Sequence, residues 1–389
     1  MPDSSRRNFL IAGLAAPVAA SAARSSADDQ KHDTPPKAPI LTPEFRYRTL
    51  GKTGLKVTSV GFGCMITSDA SVIERAADIG ITYFDTARVY QSGNNERMVG
   101  AALKGKRQNL TLSSKSGAKT KEAALADLDT SLRELGTDHL DIWYLHAKTK
   151  PADVTDDLID AQQTAKQAGK IRFADVSTHS GQTELIPALT ANPHIDVILT
   201  AYNFSMGQTL DPAIAAAHAA GKGIVAMKVM AGGFRNTKPG DKLYNTFKKD
   251  GALVAALRWV LKSSGVDTTI PSMTDMDQLE DNLKAMTGGF TKSDEGLLAR
   301  QLEYIAPLYC RMCGQCDGSC AKGLPVADLL RYLTYADGYG QFSLGRERFQ
   351  ELPAEVAQVR CDTCSTCTVN CPHGVRVSER LSRAQELFA

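Results

Sequence analysis

Beyond Ala20 the 389-residue sequence holds no apolar run long enough to cross a membrane, its charges nearly cancel, and cysteine is scarce until residue 310. Each shortage excludes something. A mean hydropathy of −0.22 leaves no room for several membrane spans, since each needs roughly 20 apolar residues. Forty-five basic and 43 acidic side chains give a net charge of +2, so the total charge offers no nucleic-acid surface. The 43% apolar and 23% charged fractions are those of a folded chain and exclude disorder. Of nine cysteines, only Cys64 precedes Cys310; the other eight lie between Cys310 and Cys371. That asymmetry predicts a separate sulfur-rich module behind a larger domain. The length suits one α/β barrel of roughly 250 residues plus an accessory domain.

The chain opens Ser5-Arg6-Arg7-Asn8-Phe9-Leu10, continues as an apolar run from Ile11 to Ala20 and reaches Ala20-Ser21-Ala22. A charged start, a short apolar stretch and small residues form the layout of a signal peptide. The arginine pair followed by Phe9-Leu10 resembles the twin-arginine export signal, which implies passage in folded form; an ordinary secretory signal is the other reading. Residues 1–22 are expected to be the signal. Residues 23–45, polar and carrying Pro35, Pro36 and Pro39, are expected to be a tether. The mature protein would then be periplasmic, with no transmembrane span.

From Thr58 to about residue 286, β-rich runs alternate with longer segments of helical period. Eight strands are expected, over Thr58 to Met65, Ile81 to Ala87, Leu110 to Lys115, His139 to His146, Ile171 to His179, Val197 to Asn203, Ile224 to Met230 and Thr268 to Met273. Most are continuous apolar runs, as strands buried on both faces of a parallel sheet are. In the helix expected over Glu122 to Leu135, Leu125, Leu128, Leu132 and Leu135 make one stripe. Gly80, Gly136, Gly169, Gly221 and Gly265 each stand where a helix should stop before the next strand. Eight parallel βα units close as a (β/α)8 TIM barrel, an α/β fold placed at residues 46–290. An open doubly wound sheet is the alternative, but its dinucleotide version would carry a G-x-G-x-x-G after the first strand. None is there.

Such a barrel carries its chemistry at the C-terminal ends of the strands. Asp85 through Tyr90, Lys115 and His146 stand at three successive ends. Singly, each could be a helix cap, a rim charge or a satisfied polar residue. With Tyr47 to Val57 and Gly61-Phe62-Gly63, their order and spacing resemble the aldo-keto reductases over roughly residues 46 to 286. The resemblance implies that Tyr90 is the general acid that protonates a carbonyl oxygen while hydride reaches the carbon. A free phenol has a pKa near 10. The Lys115 ammonium, oriented by Asp85, is expected to lower it, and His146 to hydrogen-bond the substrate oxygen.

The same resemblance implies a nicotinamide site. Ser177, Thr178 and His179 stand where a carboxamide contact belongs, and Tyr202 with Asn203 follows strand six. Met227 aligns with the ring that stacks on nicotinamide, and Lys228 could reach a phosphate. Ser272 and Gln278 occupy the positions of the Lys and Arg that grip the NADP 2′-phosphate, while Asn282 keeps the family's spacing. The expectation is therefore NAD(P) without preference for the phosphate, a tightly held cofactor, or weak binding. Cys64 is expected to be a small buried residue rather than a reactive thiol.

Cys310-x2-Cys313-x2-Cys316-x3-Cys320 and Cys361-x2-Cys364-x2-Cys367-x3-Cys371-Pro372 repeat one spacing. It is the bacterial ferredoxin run for [4Fe–4S] clusters, in which the fourth cysteine serves the other cluster. One cluster would be held by Cys310, Cys313, Cys316 and Cys371, the other by Cys361, Cys364, Cys367 and Cys320. Zinc sites and disulfides are the rival readings, although zinc pairs usually have a longer spacer and disulfides do not explain two matching quartets. Residues 291–389 are thus expected to be a mainly helical, ferredoxin-like domain. It would include an inserted helix over Val326 to Tyr335 that packs on the barrel.

Together these readings describe an exported oxidoreductase that interconverts a carbonyl and an alcohol, with two clusters and a redox partner for electron transfer. The alternative is an electron-transfer or binding subunit whose barrel no longer turns over. The Gly232 to Asp250 loop, basic and carrying Phe234, Tyr244 and Phe247, suits a polar or sugar-like small-molecule carbonyl.

Overall fold

Eight parallel strands, hydrogen-bonded in chain order, form a single sheet in the computed structural model, which describes residues 45–233 and 251–389. They are β3 (Phe62–Gly63), β4 (Tyr83–Asp85), β5 (Thr111–Ser116), β6 (Leu140–Leu145), β7 (Ile171–Thr178), β8 (Val197–Ala201), β9 (Gly223–Met227) and β10 (Thr268–Thr269). Parallel bridges from Val60 to Thr269 and from Gly63 to Ser272 bring the last strand back to the first. The protein is therefore a (β/α)8 barrel. The first and last strands are only two residues long, shorter than the sequence suggests. At this seam, a Cβ on Gly63 would come within 2.5 Å of the Ile270 carbonyl oxygen, so the closure needs glycine.

The barrel floor is a hairpin that the strand pattern did not disclose. β1 (Tyr47–Thr49) pairs antiparallel with β2 (Lys56–Thr58), so Thr58 belongs to the hairpin and not to the first barrel strand. Leu50, Leu55 and Val57 from this hairpin pack with Tyr83, Ile142, Tyr144 and Leu199 as the barrel's interior core. Inside it, the Tyr83 and Tyr144 hydroxyls satisfy each other at 2.8 Å.

A second apolar layer separates the sheet from α1 (Ala70–Asp78), α2 (Asn94–Ala102), α3 (Lys121–Leu135), α4 (Asp156–Gln167), α5 (Gln182–Ala191), α6 (Asp211–Ala219), α7 (Ala252–Leu261) and α8 (Met276–Lys284). Leu128, Leu132 and Leu135 of α3 are buried there as the stripe requires, with Leu125 at its edge. Of the five expected helix-stop glycines, Gly80, Gly136, Gly169 and Gly221 have positive φ. Gly265 does not; it lies against Ile214, where a Cβ would approach the side chain to 3.3 Å. It is a packing glycine.

After the eighth unit, α9 (Lys292–Ile305) still belongs to the barrel by packing, because Leu298, Ile305 and Tyr309 join the same core. The sequence-based boundary falls at 290, before this helix. A second core gathers α10 (Val326–Asp337), α11 (Phe342–Gln350), the short α12 (Ala354–Ala357) and α13 (Val377–Phe388) around Leu329, Leu333, Phe349, Leu381 and Phe388. Asp337 accepts from Arg380 at 2.8 Å and from Arg383 at 2.9 and 2.7 Å, which ties α13 to the end of α10. No helix among the described residues is long and apolar enough to cross a membrane. The expected signal, the tether up to residue 44, and Phe234, Tyr244 and Phe247 lie outside the described residues.

Candidate functional site

β4 ends in Asp85, β5 carries Lys115 and β6 leads into His146, so the parallel register sets the three side by side at one end of the barrel. Lys115 is 1% exposed and Asp85 2%. The Lys115 ammonium donates to Asp85 Oδ2 at 2.5 Å and to the Thr86 carbonyl at 2.6 Å, while Ser113 donates to Asp85 Oδ1 at 2.7 Å. Burial pushes the Asp85 carboxyl up and the Lys115 ammonium down, and their mutual attraction opposes both shifts. Each ion is the condition for keeping the other charged.

Tyr90 opens a tight turn, Tyr90–Gly93, in which Gln91 and Ser92 have φ of 50° and 52°. Such backbone persists where its surroundings enforce it; here the Gln91 amide donates to the Thr67 carbonyl at 2.8 Å. The turn brings the Tyr90 ring centroid to 4.9 Å from Lys115 Nζ and to 5.9 Å from the His146 ring, edge-on at 78°. The expected lowering of the Tyr90 pKa is not found. Burial, reinforced by the charge of Asp85, pushes the phenol well above its ordinary range, because Lys115 is already committed to Asp85. His146 is pushed well below its ordinary range by burial and by the cations Lys115, Arg331 and Arg348, so its imidazole is neutral. Cys64 is buried and its thiol raised by burial, the setting of an inert side chain.

A cavity opens beside Tyr90 and Asp85, lined also by Met227, Lys228, Ser272 and Gln278. These are four of the ten residues expected at a nicotinamide. The other six are not among its lining residues. Ser177 accepts from the Ala147 N–H at 2.9 Å and so holds the loop after His146, while the Thr178 hydroxyl donates to the Ser180 carbonyl at 2.7 Å. His179 Nδ1 and Asn282 Nδ2 are buried without a hydrogen-bond partner, polar atoms that a bound molecule could satisfy. Tyr202 differs from expectation: its hydroxyl donates to Asp211 at 2.6 Å and its ring lies 5.0 Å from Trp259, which turns it toward the helices. Asn203 is used up by structure. Its amide donates to the Lys228 carbonyl at 3.0 Å and to the Tyr309 hydroxyl at 3.2 Å, and its oxygen accepts from Ser205. Tyr309 immediately precedes Cys310, so Asn203 latches the cysteine module to the barrel.

The cysteine loops bring cysteines of both runs near one another. Cys310 lies within electrostatic reach of Cys316, Cys313 and Cys371, and Cys361 of Cys320, Cys364 and Cys367. The second four line one cavity. All are free thiols. The Met312 N–H donates to Cys310 Sγ at 3.3 Å, and Met312, Gly314, Gly318, Gly323 and Gly374 have positive φ that bends the loops around each set. The second quartet, set around one cavity, and the first, with the Met312 N–H turned to Cys310, suit the cluster ligation that the spacing implies.

Sequence reasoning missed the residues that α10 and the turn after it bring over the barrel mouth. Lys228 Nζ sits 5.3 Å from the Tyr335 ring and 5.2 Å from Tyr339. Tyr339 lines the cavity. The available signal was the four-residue recurrence Arg331, Tyr335, Tyr339, which puts the first two on one face of α10 and the third in the turn after it.

Residues 67–299 match the model of the aldo/keto reductase family, and residues 309–375 that of the 4Fe-4S dicluster domain. The chain is 32% identical over 151 residues to an uncharacterized oxidoreductase of Bacillus subtilis, covering 34% of this chain and 49% of that protein. It is 26% identical over 290 residues to L-galactose dehydrogenase of Arabidopsis thaliana, covering 63% and 89%. A 161-residue match at 27% identity links it to L-glyceraldehyde 3-phosphate reductase of Escherichia coli, covering 35% and 46%. Several of these matches span only about half of the relative's length. Among solved structures, the holo form of an aldo-keto reductase from Bacillus halodurans superposes with a TM-score of 0.57 at 26% identity, over 66% of this chain and 96% of that one.

Proposed function

The chain belongs to the aldo/keto reductase family, and on that premise we propose that it is an exported oxidoreductase that interconverts a carbonyl and an alcohol. It uses a nicotinamide and carries two [4Fe–4S] clusters for electron transfer. One observation carries the reading: Tyr90 stands between the buried Lys115–Asp85 pair and the His146 ring, beside a cavity that Met227, Lys228, Ser272 and Gln278 also line. A nicotinamide held there supplies hydride to the carbonyl carbon. Tyr90 holds a proton on its phenolic oxygen and passes it to the carbonyl oxygen. Neutral His146 donates a hydrogen bond to the same oxygen. Asp85 keeps Lys115 charged where burial would neutralise it.

Neither Ser272 nor Gln278 is a cation, so the cofactor is NAD or NADP without preference for the 2′-phosphate. Lys228 is the cationic side chain against the cofactor, and burial, with Arg331 and Lys115 nearby, brings its pKa down to about 7. Its charge is present below that value and lost above it. NADH affinity is therefore expected to weaken as pH rises through about 7, and Lys228→Met to remove that dependence; titration calorimetry with NADH across this range checks it.

Cys310, Cys313, Cys316 and Cys371 hold one cluster and Cys361, Cys364, Cys367 and Cys320 the other. A hydride carries two electrons and each cluster takes one, so a redox partner that separates electron pairs stands between them. Clusters are assembled in the cytoplasm, which suits the folded export implied by Arg6-Arg7 and a periplasmic destination. The relatives named for L-galactose and L-glyceraldehyde 3-phosphate suit a polar, sugar-like carbonyl substrate. Anaerobic purification of the exported protein tests the whole reading: iron, labile sulfide and a nicotinamide identified by mass are expected, with reduction of glyceraldehyde. Absence of iron and sulfide would remove the clusters. Failure to bind NADH or NADPH would leave the binding-subunit alternative, which the missing phosphate grips favour.

A further inference from the structure

Lys228 enters the cofactor cavity from a strained backbone. Its φ of 57° lies in the left-handed region that side chains avoid, and such a conformation persists where the surroundings hold it. Here the Lys228 carbonyl accepts from the Asn203 amide at 3.0 Å and from the Ala231 N–H at 3.1 Å. Among the described residues, the ammonium makes no ion pair. It donates to the Met65 sulfur at 3.8 Å and sits over two rings, with the Tyr335 centroid at 5.3 Å and that of Tyr339 at 5.2 Å. The rings stack on each other at 5.8 Å and 30°. Both belong to the cysteine module, and Tyr339 itself lines the cavity. Close approach of module and barrel fixes their position. A Cβ on Gly338 would fall 2.0 Å from the Gly232 carbonyl oxygen, and one on Gly233 would lie 3.0 Å from the Tyr339 ring. No side chain fits at Gly338, so the module is seated and its aromatic pair adds a wall to the barrel's cavity.

We propose that Tyr335 and Tyr339 make the cysteine module a lid on the cofactor: they hold the Lys228 ammonium in the cavity, where it attracts the pyrophosphate of the nicotinamide, and so slow the cofactor's exchange with solvent. The inference rests on the nicotinamide reading and adds to it how the cofactor is kept. A cation over an aromatic face is attracted by the ring's quadrupole. A carboxylate in the same place would cancel the positive charge, whereas the rings restrain the ammonium and leave its charge for an anion. The pyrophosphate is the anionic group that NAD and NADP share, so the device serves both. Tyr335 and Tyr339 are thus positioning residues that act through Lys228 across a domain junction. On the proposed export in folded form, the nicotinamide leaves the cytoplasm bound, and slow exchange retains it.

The test uses the full-length protein with its clusters, loaded with NADH at a pH below the value of about 7 to which burial brings Lys228, so that the ammonium is charged. Bound NADH is chased with excess NAD, and its release is followed by stopped-flow fluorescence. Tyr335→Leu and Tyr339→Leu should each speed release by about five- to thirtyfold, the range for loss of one desolvated cation–π contact. Tyr335→Phe and Tyr339→Phe keep the rings and should stay within about twofold of the wild type. In Lys228→Met release should already be fast, and adding Tyr335→Leu should change it by less than about twofold, because the ring acts through the ammonium. Tyr304→Leu, at an exposed position on α9, should leave release unchanged, and unaltered cluster absorbance shows that each variant has folded. The same chase with NADPH should give equal effects; an effect confined to NADPH would put Lys228 at the 2′-phosphate and overturn the proposal. Release unchanged in the Leu variants, Phe variants as leaky as Leu, or additive effects in the double variant would also overturn it. The chase needs no carbonyl turnover, which separates the lid from the reductase. Slow NADH release that the Leu variants abolish, with no aldehyde reduced, keeps the lid and removes the reductase reading. Glyceraldehyde reduction with release indifferent to the rings does the reverse, and a wild type that binds neither NADH nor NADPH removes the lid.

Discussion

Tyr90→Phe is expected to lower kcat for carbonyl reduction by about 10²- to 10⁴-fold, the range for loss of a positioned general acid, while leaving NADH affinity within about twofold. The substitution removes one hydroxyl and keeps the ring that packs 4.9 Å from Lys115 Nζ and 5.9 Å from His146. It also leaves the Lys115–Asp85 pair whole. Removing either member of that pair would strand a buried charge, at a cost of about 3–5 kcal/mol, and would confuse chemistry with folding. The pH profile provides a second, independent reading. Because the Tyr90 phenol is held well above its ordinary range by burial and by Asp85, it stays protonated at every pH below that raised value. At saturating NADH, reduction, which needs the proton, should be flat through neutrality; alcohol oxidation at saturating cofactor, which needs the phenolate, should climb as pH rises. Steady-state rates in both directions check this, and carbonyl reduction that survives unchanged in Tyr90→Phe would remove Tyr90 from the chemistry.

The barrel was legible because each βα unit announces itself locally, with a strand such as Leu140–Leu145 continuously buried and a helix such as Lys121–Leu135 striped and stopped by Gly136. What escaped were features made by distant contacts. The seam strands Phe62–Gly63 and Thr268–Thr269 are fixed by their approach to each other, and the floor hairpin by its burial among residues as distant in the chain as Ile270. The site divides in the same way. Asp85, Lys115 and His146 lie at strand ends that parallel register must bring together, so order and spacing sufficed. Tyr202 fits a cofactor position by sequence, but Trp259 and Asp211 draw it outward. Asn203 is claimed by Tyr309. Arg331, Tyr335 and Tyr339 repeat every four residues in a segment recognisable as a helix, yet nothing local says that this helix meets the catalytic mouth. Such a junction is decided by close backbone approach at Gly232 and Gly338, which no periodicity encodes.

Cys371→Ala is expected to halve the iron, from about eight to about four atoms per chain, by removing the cluster that Cys371 completes with Cys310, Cys313 and Cys316. Cys320→Ala should do the same for the cluster of Cys361, Cys364 and Cys367. The interleaving makes the pair of variants informative. If each run of four cysteines held its own cluster, Cys371→Ala would instead spare the site at Cys310, and the low-temperature spectrum of the reduced protein would retain the other signal. The structure favours the crossed assignment, because Cys371 acts on Cys310 and Cys316 while Cys320 acts on Cys361. The two losses should also differ in their effect on the barrel. Cys310 follows Tyr309, whose hydroxyl meets the Asn203 amide, and that amide also holds the Lys228 carbonyl. Releasing the Cys310 loop therefore loosens a chain of contacts that ends in the cofactor cavity, and KM for the nicotinamide should rise more in Cys371→Ala than in Cys320→Ala. Equal effects of the two variants on KM would mean that the clusters and the barrel are coupled by shared folding alone and not through the Tyr309–Asn203 latch.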